Sequence, residues 1–192
     1  MEIRNFNFSY KNKSIFDQLD LSFEKGKLNV LVGPNGSGKS TLFDCIAGIN
    51  GDKYQPAQDK SIAYKLQKNY LLPDLSVKQT IDLYQSMQVD PRQKQFLEPL
   101  FQKVISPNLA NKMGRLSGGQ QQLVLNYLIL SLERDIYLLD EPGNNLDSET
   151  KKLLYAVIFE MVSATSKLFI VSEHDLGVLD EYMTQVNLLE LQ

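Results

Sequence analysis

The sequence predicts a layered α/β fold. Three observations carry that reading: compact apolar runs of strand length recur along the chain, segments of helical period separate them, and a glycine-rich loop joins one such run to a helix. At 192 residues, 43% of them hydrophobic and 22% charged, the chain has about one domain's length and enough apolar side chains for a core, which excludes a disordered or rod-like polymer.

Taken in order, Glu2 to Phe8 alternates apolar and polar residues around Ile3, Phe6 and Phe8 and reads as a strand, as does Leu19 to Phe23, with a turn at Lys25-Gly26. Lys27 to Val32 is an apolar run ending in glycines, and Lys39 to Ile46 is the helix beyond them. Ser61 to Leu66 is the next strand, after a turn-rich stretch from Asn50 to Lys60. From about Ser76 the period turns helical through Val77, Ile81, Leu83, Tyr84 and Met87, and Pro91 opens a second helix through Phe96, Leu97, Leu100, Phe101 and Val104. Ser117-Gly118-Gly119 precedes a third helix to about Leu132, whose apolar stretch Leu123 to Leu130 marks it as buried. Ile136 to Leu139 and Leu168 to Val171 are buried-strand runs on either side of a helix from about Ser148 to Val162, and Val186 to Leu191 is the last strand.

A net charge of -3 and a pI near 5.2 argue against nucleic-acid binding through bulk positive charge. The single cysteine, Cys45, forms no intrachain disulfide and no Cys-based metal site, which suits a reducing, cytosolic setting, and its simplest role is a small buried apolar side chain. The N-terminus lacks the apolar core of a signal peptide, and no run approaches the ~18 apolar residues that span a bilayer.

Gly33-Pro34-Asn35-Gly36-Ser37-Gly38-Lys39-Ser40, followed by Thr41, fits G-x-x-x-x-G-K-[ST] between an apolar strand and a helix. Glycines there let backbone N–H groups surround phosphate oxygens at a helix N-terminus, Lys39 reaches the β- and γ-phosphates, and the Ser40 hydroxyl ligates Mg²⁺. Asp140 and Glu141 close the apolar run Ile136 to Leu139; acids at such a strand end are costly without a cation or a proton to handle. Asp140 suits Mg²⁺, and Glu141 suits polarising the water that attacks the γ-phosphate.

Leu116-Ser117-Gly118-Gly119-Gln120, lying between that loop and the acidic pair, resembles the signature of the ATP-binding-cassette (ABC) ATPases. The resemblance runs from Tyr10 to His174. It implies a RecA-like P-loop NTPase core with an N-terminal antiparallel β element and an inserted α-helical subdomain at about residues 68–132, the core lobe being about 1–67 and 133–192. It also implies that Ser117, Gly118, Gly119 and Gln120 receive a nucleotide phosphate. Gln67 matches the glutamine that contacts Mg²⁺ and the attacking water, and His174 the switch histidine on the γ-phosphate. Asn145 and Asp147, within Asn144-Asn145-Leu146-Asp147, match the D-loop that crosses between cassettes. Tyr10, 29 positions before Lys39, matches the aromatic that stacks on adenine, the alternative being a strand-end aromatic packed on Phe8 or Phe16.

The departures are local. Leu123 and Leu128 stand where the family often carries basic residues, which weakens the expectation of polar contacts from that helix, and Gly143 replaces a Thr or Ser and loosens the turn after the acids. The implied activity is that of a Mg-dependent ATPase, with ATP and Mg²⁺ as cofactors. The implied partners are a second cassette, head to tail, and a separate transmembrane subunit, with no direct nucleic-acid contact; the chain would sit in the cytoplasm, peripheral on the inner face of the cell membrane. The segment Asn69 to Gln79, with Tyr70, Leu71, Leu72 and Leu75, serves equally as a groove for the membrane subunit or as subdomain core. The competing reading is a soluble ABC ATPase acting on ribosomes or DNA, whose added domains and basic surface are missing from this sequence.

Overall fold

The computed structural model describes residues 1–10, 13–49, 57, 59–66 and 71–191. It opens with two antiparallel strands, β1 (Glu2–Tyr10) and β2 (Lys13–Ser22), in register from Glu2 opposite Ser22 to Tyr10 opposite Lys13. The second strand starts earlier than the expected Leu19. Its alternation fails at Gln18, which takes φ 51° at an irregularity, and the same happens at Asn5 with φ 50° on the partner strand. Side chains satisfy both kinks: Asn5 N–H donates to Asp20 Oδ1 (2.6 Å) and Gln18 N–H to Asn7 Oδ1 (2.9 Å).

The remaining strands, β3 (Leu28–Val32), β4 (Ile62–Lys65), β5 (Ile136–Asp140), β6 (Leu168–Ser172) and β7 (Val186–Glu190), form one parallel sheet in the order β4-β5-β6-β3-β7. β5 and β6 are buried along their whole length, as a parallel sheet covered on both faces requires. The pleat sorts them: Tyr137, Leu139, Phe169 and Val171 face one core, Ile136, Leu138, Leu168 and Ile170 the other. The second core is closed by the β1–β2 hairpin and by α1 (Lys39–Ala47), which supplies Leu42, Phe43 and Ile46. This is the RecA-like α/β arrangement with an antiparallel β element at its N-terminus that the sequence leads one to expect.

The first core is closed by α3 (Lys94–Leu100), α4 (Gly118–Ser131) and α5 (Ser148–Ala164). The segment between β4 and β5 is helical and starts with α2 (Val77–Gln85), which joins α4 in a third cluster holding Val77, Ile81, Met113, Val124 and Leu128. The helix expected from Pro91 to Val104 is broken into a 3₁₀ turn (Pro91–Gln93), α3, and a π-helical turn (Phe101–Ile105). Pro99 lies inside α3, where its missing N–H and its ring disturb the i→i−4 ladder and the following turn widens. No helix among the described residues is long and apolar enough to cross a membrane.

The 3₁₀ turn after α2 is tied to the residue just before β6 through its cap Asp90, whose side chain is 4% exposed and accepts from Arg92 (3.0 Å) and Lys167 (3.4 Å). The Arg92 side-chain hydrogen bond, opposed by burial and aided by the Arg92 backbone N–H and by Lys167, lowers the carboxyl from 3.8 to about 2. A depressed carboxyl adds stability above its unfolded value and loses it as pH falls toward the folded one. Urea titrations of the parent and of Asp90→Asn are therefore expected to differ at pH 6 and to converge as pH drops from about 4 to about 2. A gap that stays constant across that range contradicts the assignment.

Candidate functional site

The carboxyl ends of β3, β5 and β6 lie side by side in the sheet, so the loops that follow them share one edge, the usual place for a ligand in a parallel α/β sheet. After β3, Gly36 and Gly38 take φ +85° and +96°, and a Cβ on Gly38 would stand 2.8 Å from the Phe16 ring. Gly33 passes so close to the end of the chain that a Cβ there would lie 2.4 Å from the Leu191 carbonyl oxygen. α1 begins at Gly38 with no side-chain cap, leaving its first N–H groups open to an anion. Ser37 Oγ beside them is buried without a hydrogen-bond partner. Lys39 folds back so that Nζ donates to the carbonyls of Gly33 (2.7 Å) and Pro34 (3.1 Å).

A cleft of about 510 Å³ over this loop is lined by Ile15, Asn35, Gly36, Gly38, Lys39, Ser40, Thr41, Glu141 and His174. Ser40 Oγ donates to Asp140 Oδ2 (2.7 Å), and Ser172 Oγ donates to Asp140 Oδ1 (2.5 Å). Glu141, at φ 46°, turns its carboxylate toward His174 Nε2 (2.8 Å) and accepts from Asn144 Nδ2 (3.1 Å). The structure thus gathers the loop, Glu141 and His174 around one cleft, with Asp140 buried behind Ser40, which does line it. Tyr10, 46% exposed, packs edge-on against Phe8 with ring centroids 5.0 Å apart and is not among the lining residues; Ile15 of β2 is. Gln67 and Tyr70 lie outside the described residues. Of the segment that follows, Leu71 packs on the helical cores while Leu72 is 57% exposed.

Ser117, Gly119 and Gln120 line a separate cleft of about 390 Å³, together with Asn145, Leu146 and Asp147. Ser117 caps α4, accepting from Gln120 N–H (3.2 Å) while Gln120 Oε1 accepts from Ser117 N–H (3.0 Å). Gly118 has no atom within 4 Å of a would-be Cβ, whereas one on Gly119 would stand 2.6 Å from the Asn145 carbonyl oxygen. The signature turn and the loop after the acids are therefore packed directly on each other. Asp147 caps α5, and the hydrogen bond it accepts from Thr150 N–H (2.9 Å) lowers its carboxyl below the ordinary value.

Several polar residues that the motifs do not name bear on this edge. Lys65, 1% exposed at the end of β4, donates to the Asp140 carbonyl (2.6 Å), and burial lowers its ammonium to about 8 against the opposing pull of Asp140 and Glu141. Gln122 Nε2 donates to the Glu141 carbonyl (3.0 Å) and Asn126 Nδ2 to the Pro142 carbonyl (2.8 Å), so α4 does make polar contacts even though Leu123 and Leu128 are buried apolar residues. Glu173 accepts from the N–H groups of His174 (3.0 Å) and Asp175 (3.2 Å), and is itself held by Tyr155 Oη (2.5 Å) and Lys151 Nζ (3.3 Å). Gly143 gives the Lys151 stem room, since a Cβ there would stand 2.6 Å from Lys151 Cε; the turn is packed rather than loose. Alternation in β4 puts Lys65 on the buried face with Ala63, a signal open to a closer reading of the strand.

A family model described as ABC transporter matches residues 16–144. The chain is 30% identical, over 92% of its length and 80% of the relative's, to a "probable ABC transporter ATP-binding protein" of Cyanophora paradoxa. It is 28% identical, over 97% of its length and 79% of the relative's, to a zinc import ATP-binding protein of Wolbachia sp. subsp. Brugia malayi. Among solved structures, a dimeric bacterial ABC transporter cassette superposes with a TM-score of 0.77 at 22% identity, covering 98% of this chain and 94% of that one.

Proposed function

The chain belongs to the ABC transporter family of ATP-binding proteins, and from that premise we propose that it binds and hydrolyses ATP to drive a separate membrane-spanning subunit through head-to-tail pairing of two cassettes. The observation that carries this reading is the division of the motifs between two clefts. Glu141, His174 and Lys39 face one, while Ser117 and Gly119 face another. A nucleotide on the first would meet a signature only if a second cassette brought its own, with Asn145 and Asp147 at the contact.

The residues fit ATP. The uncapped helix start, the orphaned Ser37 hydroxyl and the glycines that leave no room for a Cβ make a cradle for phosphates, held at Gly33, Pro34, Asn35, Gly36, Ser37, Gly38, Lys39, Ser40 and Thr41. They fit Mg²⁺ as well: Ser40 and Asp140 offer hard oxygen donors 2.7 Å apart, and among the described residues no cluster of three or more His, Cys, Asp or Glu competes as an all-protein cage. Bound there, Mg²⁺ would offset the charge of the phosphates. Glu141 would accept the proton of the attacking water, His174 would hydrogen-bond the γ-phosphate and hold Glu141, and Gln67 would reach the same water. Tyr10 would stack on adenine. The core lobe would comprise about residues 1–67 and 133–192, and the helical lobe about 68–132.

Tagged Glu141→Gln protein, incubated with Mg-ATP and detergent-solubilised membranes of the source cells, tests the partner. Stoichiometric recovery of a polytopic membrane protein is expected. Ribosomal or DNA-associated partners with nothing from the membrane would overturn the transport reading and leave the ATPase reading standing.

A further inference from the structure

Three consecutive carbonyls, those of Asp140, Glu141 and Pro142, are each taken by a side-chain donor: Lys65 Nζ (2.6 Å), Gln122 Nε2 (3.0 Å) and Asn126 Nδ2 (2.8 Å). We propose that Lys65, Gln122 and Asn126 are positioning residues for Glu141, clamping the turn that carries it between β4 and the signature helix α4. The inference rests on the reading of Glu141 as the base.

Two features set the clamp apart from routine satisfaction of a strand end. The turn needs holding, because Glu141 sits at φ 46°, a backbone region unfavourable for a side chain with a Cβ, so its native shape must be imposed by its surroundings. The donors are also expensive choices. Lys65 places an ammonium in the interior at 1% exposure, and Asn126, 0% exposed, leaves its Oδ1 without a hydrogen-bond partner. Their neighbours along the same elements, Ala63 on β4 and Leu123 and Leu130 on α4, are apolar residues of the core. Groups that cost stability and fix the backbone of a reactive carboxylate are what a site built for geometry contains. From the other side, Ser172 Oγ accepts from Glu141 N–H (2.9 Å), so the residue is held at both ends of its backbone.

The clamp also joins two clefts. α4 begins at Ser117 in the signature cleft and, one and two turns along, grips the turn of Glu141 in the phosphate cleft. A phosphate received at Ser117 from a partner's nucleotide would act on a helix already bonded to the base of this chain's own site.

The test compares the parent with Lys65→Met, Lys65→Arg and Asn126→Leu in the full chain, measuring thermal midpoint, affinity for a fluorescent ATP analogue, and kcat. Met approximates the Lys stem but removes the donor to the Asp140 carbonyl along with the charge, so Lys65→Met should stay folded with a lowered thermal midpoint, bind nucleotide within about twofold, and turn over about 10-fold or more slowly, as expected for a misplaced base. Lys65→Arg, which keeps a donor, should recover part of the rate. Asn126→Leu should follow Lys65→Met, and decides the matter if Lys65→Met fails to fold. A kcat within about twofold of the parent in a folded Lys65→Met, or rate losses that only track lost folding or lost nucleotide binding, overturns the clamp. A parent that neither binds nor hydrolyses ATP would instead sink the functional reading on which it rests.

Discussion

Lys39→Ala is expected to abolish tight ATP binding. The residue is 7% exposed and its ammonium is aimed into the loop, where Gly33 and Pro34 accept its hydrogen bonds at 2.7 and 3.1 Å. Those carbonyls stand in for the phosphate oxygens that Lys39 would meet when nucleotide is bound, and the exchange replaces neutral acceptors with charged ones. Two charge-assisted bonds at about 1.5 kcal/mol each correspond to about 100-fold in affinity, and more if the local charge is poorly screened. Equilibrium titration with labelled ATP measures it, with circular dichroism of the variant to establish that it is folded. Lys39→Met, which keeps the packed stem, should lose affinity to the same extent. Unchanged affinity in a folded variant would sink the assignment of the loop to phosphate.

The α/β class is legible in the sequence because a parallel sheet covered on both faces needs apolar runs as dense as Ile136 to Leu139 and Leu168 to Val171, and few other folds do. The shared edge of the site is legible for the same reason: once β3, β5 and β6 are parallel neighbours, the segments after Val32, Leu139 and Val171 must emerge together. Local backbone defects are harder to read. Gln18 and Asn5 leave the regular strand because side-chain acceptors elsewhere in the hairpin reward it, and the widened turn after Pro99 depends on how much of the ladder survives around the ring. Neither depends on period.

The supporting shell of the site is the least legible part. Motifs name residues that would touch nucleotide, whereas Lys65, Gln122 and Glu173 act on backbone atoms of those residues, and Asn126 on the carbonyl of Pro142 beside Glu141. Such partners are fixed by tertiary contacts between positions 16 to 75 residues apart, apart from Glu173, which precedes His174 directly. Leu123 and Leu128 illustrate the error that follows from reading a helix by its departures from a family pattern. They point to an apolar α4, yet the helix presents Gln122 and Asn126 to the carbonyls of the catalytic turn.

Glu141→Gln is expected to cut turnover by about 10²-fold or more, the usual worth of a positioned general base, while leaving ATP binding intact. The substitution is nearly isosteric, so the φ of 46° is imposed on Gln as it is on Glu, and the clamped carbonyl is unchanged. Contacts survive as well. A Gln oxygen can accept from Asn144 Nδ2, as Glu141 Oε2 does at 3.1 Å, and the amide N–H can donate to His174 Nε2 in the tautomer protonated at Nδ1, replacing the 2.8 Å contact seen with the carboxylate. What is lost is the ability to take a proton. If Glu141 is the base, the variant should accumulate with ATP bound and the two cassettes closed, giving a dimer on size-exclusion chromatography with Mg-ATP that the parent does not hold. A variant that remains monomeric at saturating Mg-ATP, or that hydrolyses at the parent rate, would remove Glu141 from that role. His174→Ala separates the two partners: it should slow turnover while leaving the carboxylate able to accept a proton, so a dimer trapped by Glu141→Gln but not by His174→Ala would place the proton acceptor on the acid.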